Sequence, residues 1–295
     1  RFALPDAGDE GSRRVALADW IVRPDNPLTW RSVVNRVWQY HFGKGIVDTP
    51  NDFGRGGSKP THPQLLEWLA VEFRDGGRYL EPQSFKSLHR LICKSRTYQQ
   101  SSRSAEFVKQ DNNNRFLWKM DRRRLSAEEI HDTVLKVAGL LDPKMGGPSY
   151  RDFVIQRPEH SPHYEYHLYD PNDRATHRRA VYRFIVRSQP QPFLDTLNCA
   201  DPSSSVPKRA ETLTALQALG MLNNLFMVAM SEQYAALLEK ESGRLPDQLR
   251  SGYRKLTGRT PDDQELILLQ EYAEKHGLKN LCRVYFNLSE FVFVD

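Results

Sequence analysis

Cysteine is scarce: the 295-residue chain has three, Cys93, Cys199 and Cys282. They stand far apart. No pair has zinc-knuckle or redox spacing, and no Cys-x-x-Cys-His is present to attach haem covalently. A bridge between two of them would leave one free thiol. Long apolar runs are missing too, and nothing approaches the roughly 20 residues of a membrane-spanning helix. No Gly-x-Ser-x-Gly elbow and no cysteine beside a patterned histidine marks a nucleophile. Charge of one sign is not concentrated: 42 basic against 37 acidic residues give a net charge of +5. Basic patches interleaved with aromatics are lacking, which argues against a nucleic-acid partner. No signal peptide is visible, and the chain starts at Arg1 without Met, which suggests a piece of a larger protein.

What is present is helical. The densest pattern runs from Asn26 to Gly54. Asn26 can cap a helix and Pro27 suits its first position. Trp30, Val33, Val34, Val37, Trp38, His41 and Phe42 recur at helical spacing, and Gly43 offers a left-handed stop. Arg31, Asn35 and Gln39 form a polar stripe with Arg36 beside it. Asp48 and Asp52, in the following loop, could return to these arginines. One reading is a core helix with a loop held by Arg–Asp pairs; the other is a pocket of Asn35, Arg36 and Asp52.

Further helices follow the same logic. A short one is expected over Val15–Val22, after a polar, extended start. Thr61-His62-Pro63-Gln64 reads as a capping box before Leu65, Leu66, Leu69 and Phe73. Ser84 caps a segment carrying Phe85, Leu88 and Ile92. Ser126 to Glu129 is a second capping box, before Ile130, Val134 and Leu141. From Leu213 a long helix is expected, kinked near Gly220, with Asn223 on its apolar stripe. Helices closing at Gly258 and Gly277 and a last one over Leu278–Leu288 complete the set. The middle, 142–207, is rich in Pro, His, Tyr and Arg. There 153–155, 164–169 and 180–186 have strand-like composition. The fold class is therefore mainly α: one multi-helix unit with a small antiparallel β and loop insert, divided as 1–141, 142–207 and 208–295.

Two constellations carry chemistry. His160, His163, His167 and His177 fall in one short segment with Glu159, Glu165, Asp170 and Asp173. A mixed His/carboxylate site for a divalent metal is one reading; a polar loop packed by tyrosines is the other, since no established ligand spacing occurs. The Arg122-Arg123-Arg124 run precedes the Ser126 helix cap and could hold an anion such as a sulfated glycan. As a solvated or ion-paired face it would hold none.

The ordered segments resemble a family. They include Asn35-Arg-Val-Trp-Gln-Tyr-His-Phe-Gly-Lys-Gly-Ile-Val47, Asp52-Phe53-Gly54, His62-Pro63, Leu88-His-Arg-Leu-Ile92, Arg122-Arg-Arg-Leu125, Arg179 to Arg187, Leu216-Gln-Ala-Leu219 and Asn287 to Asp295. Together they resemble the planctomycete-type domain of unknown function numbered 1553. The resemblance implies an extracytoplasmic module ending a large envelope protein, with upstream domains of the same polypeptide as partners. It implies haem c only in such an upstream cytochrome-c-like domain, with no cofactor in this segment. It also implies a context of polysaccharide or sulfated-glycan use. No reaction comes with it. Three roles stay open: a glycan-binding or organising module, a metal-dependent hydrolase on polysaccharide, and an electron-transfer partner of the haem domain.

Overall fold

The computed structural model describes residues 8–157 and 161–294. Among them stand twelve α-helices and two two-stranded sheets, so the architecture is mainly α. The chain divides into two compact units, one ending at Arg123 and the other spanning Arg124–Val294. The middle segment, 142–207, and the C-terminal helices both fall in the second unit.

In the first unit, α1 (Glu10–Val22) starts earlier than its apolar period suggests. Asp9 caps it by accepting from Gly11 and Ser12 amides, a signal that hydrophobic spacing does not carry. The central helix α2 (Pro27–Phe42) forms as its signals dictate. Asn26 accepts from the Leu28 amide, and Gly43 closes the helix at φ 74°. The helix α3 (Pro63–Asp75) has His62 at its cap, with no side-chain cap bond. The expected Thr61 capping box does not form, because the Thr61 hydroxyl donates to the Ile46 carbonyl instead. Ser84 caps α4 (Phe85–Lys94). Val34, Trp38, Phe42, Ile46, Val47, Leu66, Leu69, Phe73, Leu88 and Ile92 bury one core among these helices.

In the second unit, the Ser126 capping box starts α5 (Ala127–Val137), and Ile130, Val134 and Leu135 are wholly buried. The insert's sheet pairs β2 (Val154–Gln156) antiparallel to β3 (His163–Glu165). The two-residue β1 (Arg123–Arg124) pairs with β4 (Phe293–Val294) near the C-terminus. The strand expected over 180–186 is instead a 3-10 turn at Ala180–Tyr182 followed by a single bridge from Arg183 to Tyr150. The Asp132 carboxylate accepts the Ala180 amide and fixes that turn. A short α6 (Pro192–Thr196) follows.

The expected long kinked helix is two helices, α7 (Ala215–Asn223) and α8 (Leu225–Glu241). The break is at Asn224, not Gly220. Asn224 takes extended dihedrals and its side chain caps α8 through the Phe226 amide. Asn223 is exposed and accepts from Arg283, so it is not a core residue. Then come α9 (Leu245–Thr257), α10 (Asp263–His276), α11 (Leu278–Tyr285) and α12 (Ser289–Val292). The last expected helix thus stops at Tyr285, and the apolar tail is a helical turn plus β4. Met227, Met230, Tyr234, Leu238, Leu249, Leu281, Tyr285 and Phe286 form the centre of the second core. No helix among the described residues is long and apolar enough to cross a membrane.

Candidate functional site

The residues singled out on α2 build a clamp. Asn35 has no exposed surface. Its amide donates to the Val47 carbonyl at 3.0 Å and accepts the Val47 amide at 2.8 Å. Both backbone groups of a buried loop residue are thereby satisfied. Arg36 reaches the loop as its position suggests, but it donates to the Asn51 side chain. Asp52 is exposed and accepts the Gly54 amide at 2.8 Å, closing its own turn. Asn35 therefore faces the protein interior.

The arginine run divides by burial, with Arg123 half-buried between an exposed and a buried neighbour. Arg124 is buried and donates to the Thr212 carbonyl at 2.9 Å, while Arg122 is exposed. Burial lowers the pKa of Arg124, against the pull of Glu211.

The histidines separate as well. His163 is exposed on β3, and His167 is exposed beside Glu165 at 3.4 Å. His177 is buried and contacts the Pro171 carbonyl through Nε2 at 2.9 Å. His160 lies outside the described residues. Among the described residues, no group of three or more His, Cys, Asp or Glu side chains is arranged to hold a metal ion.

A different set of side chains converges in the second unit. His131, Tyr150, Asp152, Tyr169, Thr176, Gln191, Phe193, Leu194 and Phe226 enclose a cavity of about 10 Å³, room for one water-sized group. Four local features place them. His131 sits on α5, stacked on Phe226 of α8 with ring centroids 4.9 Å apart. Its Nδ1 lies 3.1 Å from Asp132, which leaves Nε2 as the nitrogen for other contacts. Tyr150 is pinned by backbone bonds to Tyr182 and Phe184. Gln191 caps α6, bringing Phe193 and Leu194 to the wall.

Tyr150 Oη and Asp152 Oδ1 are buried with no hydrogen-bond partner in the chain. Arg183 Nη1 stands 3.8 Å from Asp152 Oδ1, near enough for attraction but too far for a hydrogen bond. Burial raises the Asp152 pKa above the ordinary carboxylic range despite Arg183. Burial and then the Asp152 charge raise the Tyr150 phenol, which keeps it a donor at any ordinary pH. Burial raises the Tyr169 phenol likewise. A buried polar group left without a hydrogen bond costs about 1–3 kcal/mol. Sequence reasoning passed over this set. Its only local traces are His131-Asp132 on the first turns of α5 and the Tyr150-x-Asp152 pair; the fold joins them across the unit.

No curated protein and no solved structure matches the chain. The family model described as PSD1, protein of unknown function (DUF1553), matches residues 13–273, most of the chain, and the chain belongs to that family.

Proposed function

We propose that this chain is a binding module for a hydroxyl-rich ligand of the glycan class, acting as an extracytoplasmic part of a larger envelope protein. The cavity of the second unit is its recognition point. The observation that supports this is the pair of buried groups without a hydrogen bond in the chain, Tyr150 Oη and Asp152 Oδ1, beside aromatic walls. One sugar hydroxyl fits the cavity: it donates to Asp152 and accepts from Tyr150 while the ring packs against exposed neighbouring surface. Apolar-walled sites with a few convergent polar groups are the usual form of a ligand site. Sulfated glycans are the subclass that the family context favours. Haem c, in this reading, belongs to an upstream domain.

A second reading has its own observation. His131, oriented by Asp132, lines the same cavity as Asp152, whose pKa burial raises. Such a pair can move protons, which suits hydrolysis of a glycosidic or ester bond. Titration calorimetry with neutral and sulfated oligosaccharides tests the first reading. Binding that is lost in Tyr150→Phe and Asp152→Asn, with product formation absent, supports it. Turnover abolished by His131→Gln supports the second. Binding unaffected by all three variants contradicts both.

A further inference from the structure

The first unit holds a thiol–imidazole chain that the binding reading does not use. Cys93 Sγ on α4 lies 3.9 Å from His41 Nδ1 on α2. His41 Nε2 lies 2.8 Å from His89 Nδ1, one turn before Cys93 on α4. Only one neutral tautomer set satisfies both contacts with the thiol as donor. The thiol donates to His41 Nδ1, His41 Nε2–H donates to His89 Nδ1, and His89 keeps its own proton on Nε2. This is the arrangement of a nucleophile, its base and the group that orients the base.

The surroundings favour that assignment. Tyr98 packs edge-on against the His41 ring at 5.4 Å and restricts its rotation. Burial, then His89, then Arg123 lower the His41 pKa, so the ring is neutral and able to accept a proton at neutral pH. The groups facing His41 are thus Cys93, His89, Tyr98 and Arg123, and none is a carboxylate that would hold the ring protonated. Cys93 is half-buried and His89 exposed, which gives small reagents access. The other thiols differ. Cys199 contacts Glu128, and burial followed by that charge raises its pKa; Cys282 is buried and pushed up to about 12.

We propose that Cys93 is a modification site, a nucleophilic thiol with His41 as its base and His89 as the positioning residue, that reacts with a small peroxide. The thiol proton passes to His41 Nδ1. The sulfur attacks one oxygen of hydrogen peroxide and the O–O bond breaks. The sulfur is oxidised by two electrons to the sulfenic acid, and the departing oxygen takes the proton from His41 and leaves as water. Protonating His41 interrupts the chain, so the rate falls as pH drops through the titration of that ring, which burial places below the ordinary imidazole value.

The test uses the whole chain. Iodoacetamide labelling at pH 7 is followed at each cysteine by peptide mass spectrometry, and peroxide treatment is followed by dimedone trapping. Cys93 should label about tenfold or more faster than Cys199 and Cys282 and form the dimedone adduct. His41→Gln should slow Cys93 by about tenfold and shift its rate–pH curve to that of an ordinary thiol. If His41→Gln fails to fold by circular dichroism, His89→Ala, at the exposed end, carries the test and should slow Cys93 severalfold. An unchanged Cys93 rate in a folded variant, or no adduct after peroxide, overturns the proposal.

Discussion

Asn35 should matter far more to stability than its neighbour Arg36. Truncating Asn35 to Ala strands the Val47 amide and carbonyl, both inside a core where Val47 itself is 2% exposed. An unpaired buried polar group costs about 1–3 kcal/mol, so the two together cost about 2–6 kcal/mol. That is a large part of the 5–15 kcal/mol that typically holds a domain together. Asn35→Asp should not rescue the loss, because a second oxygen would face the Val47 carbonyl and the charge would be buried. Arg36→Ala removes only a partly exposed bond to Asn51 and should cost about 1 kcal/mol or less. The readout is selective. All five tryptophans, Trp20, Trp30, Trp38, Trp68 and Trp118, precede Arg124, so intrinsic fluorescence in urea follows the first unit alone. A shift for Arg36→Ala that matches or exceeds that for Asn35→Ala would refute the clamp.

Three further outcomes follow from the second unit. Arg259 bridges Glu265 at 2.6 Å and Glu290 at 2.8 Å, and that pairing pulls Glu265 to about 2. Its folded pKa is depressed, so the stabilisation is complete above the ordinary carboxylic range and is lost as pH falls toward 2. After solvent screening it amounts to about 1 kcal/mol, and melts of Glu265→Gln against pH and salt should show that loss flattened. Asp152 has the opposite sign: its folded pKa is raised, so its contribution weakens as pH climbs from the ordinary carboxylic range. Asp152→Asn should therefore gain melting temperature relative to the parent between pH 4 and pH 7, and a gap that shrinks instead would contradict the burial argument. Tyr234→Phe removes a buried 2.7 Å bond to the Gly252 carbonyl and should cost about 1 kcal/mol in chemical denaturation, with the fold intact.

Elements with local signals were legible in the sequence. The Asn26-Pro27 start, the Gly43 stop and the Ser126–Glu129 box each appear where their chemistry dictates. The errors came where a local rule met a tertiary competitor. Thr61 gave its hydroxyl to Ile46, and the β-like composition of 180–186 yielded to a turn fixed by Asp132. The unbroken apolar period across 213–237 hid the cap at Asn224, since asparagine continues a helix pattern as readily as it starts one. Site residues were less legible. Asn35 reads from its spacing as part of a polar stripe that could line a pocket, whereas its hydrogen-bond partner is backbone twelve residues away. The cavity gathers residues from 131 to 226, and no spacing rule links such positions.

The binding claim meets its most direct test in the histidine ring resonances of the whole chain, recorded while the oligosaccharide that binds best in calorimetry is titrated in. Binding at the cavity should move the His131 signals in a saturable way, Tyr150→Phe should abolish the movement, and the His41 and His89 signals should stay unchanged. Saturable shifts confined to the first unit, with His131 unmoved, would contradict binding at the cavity.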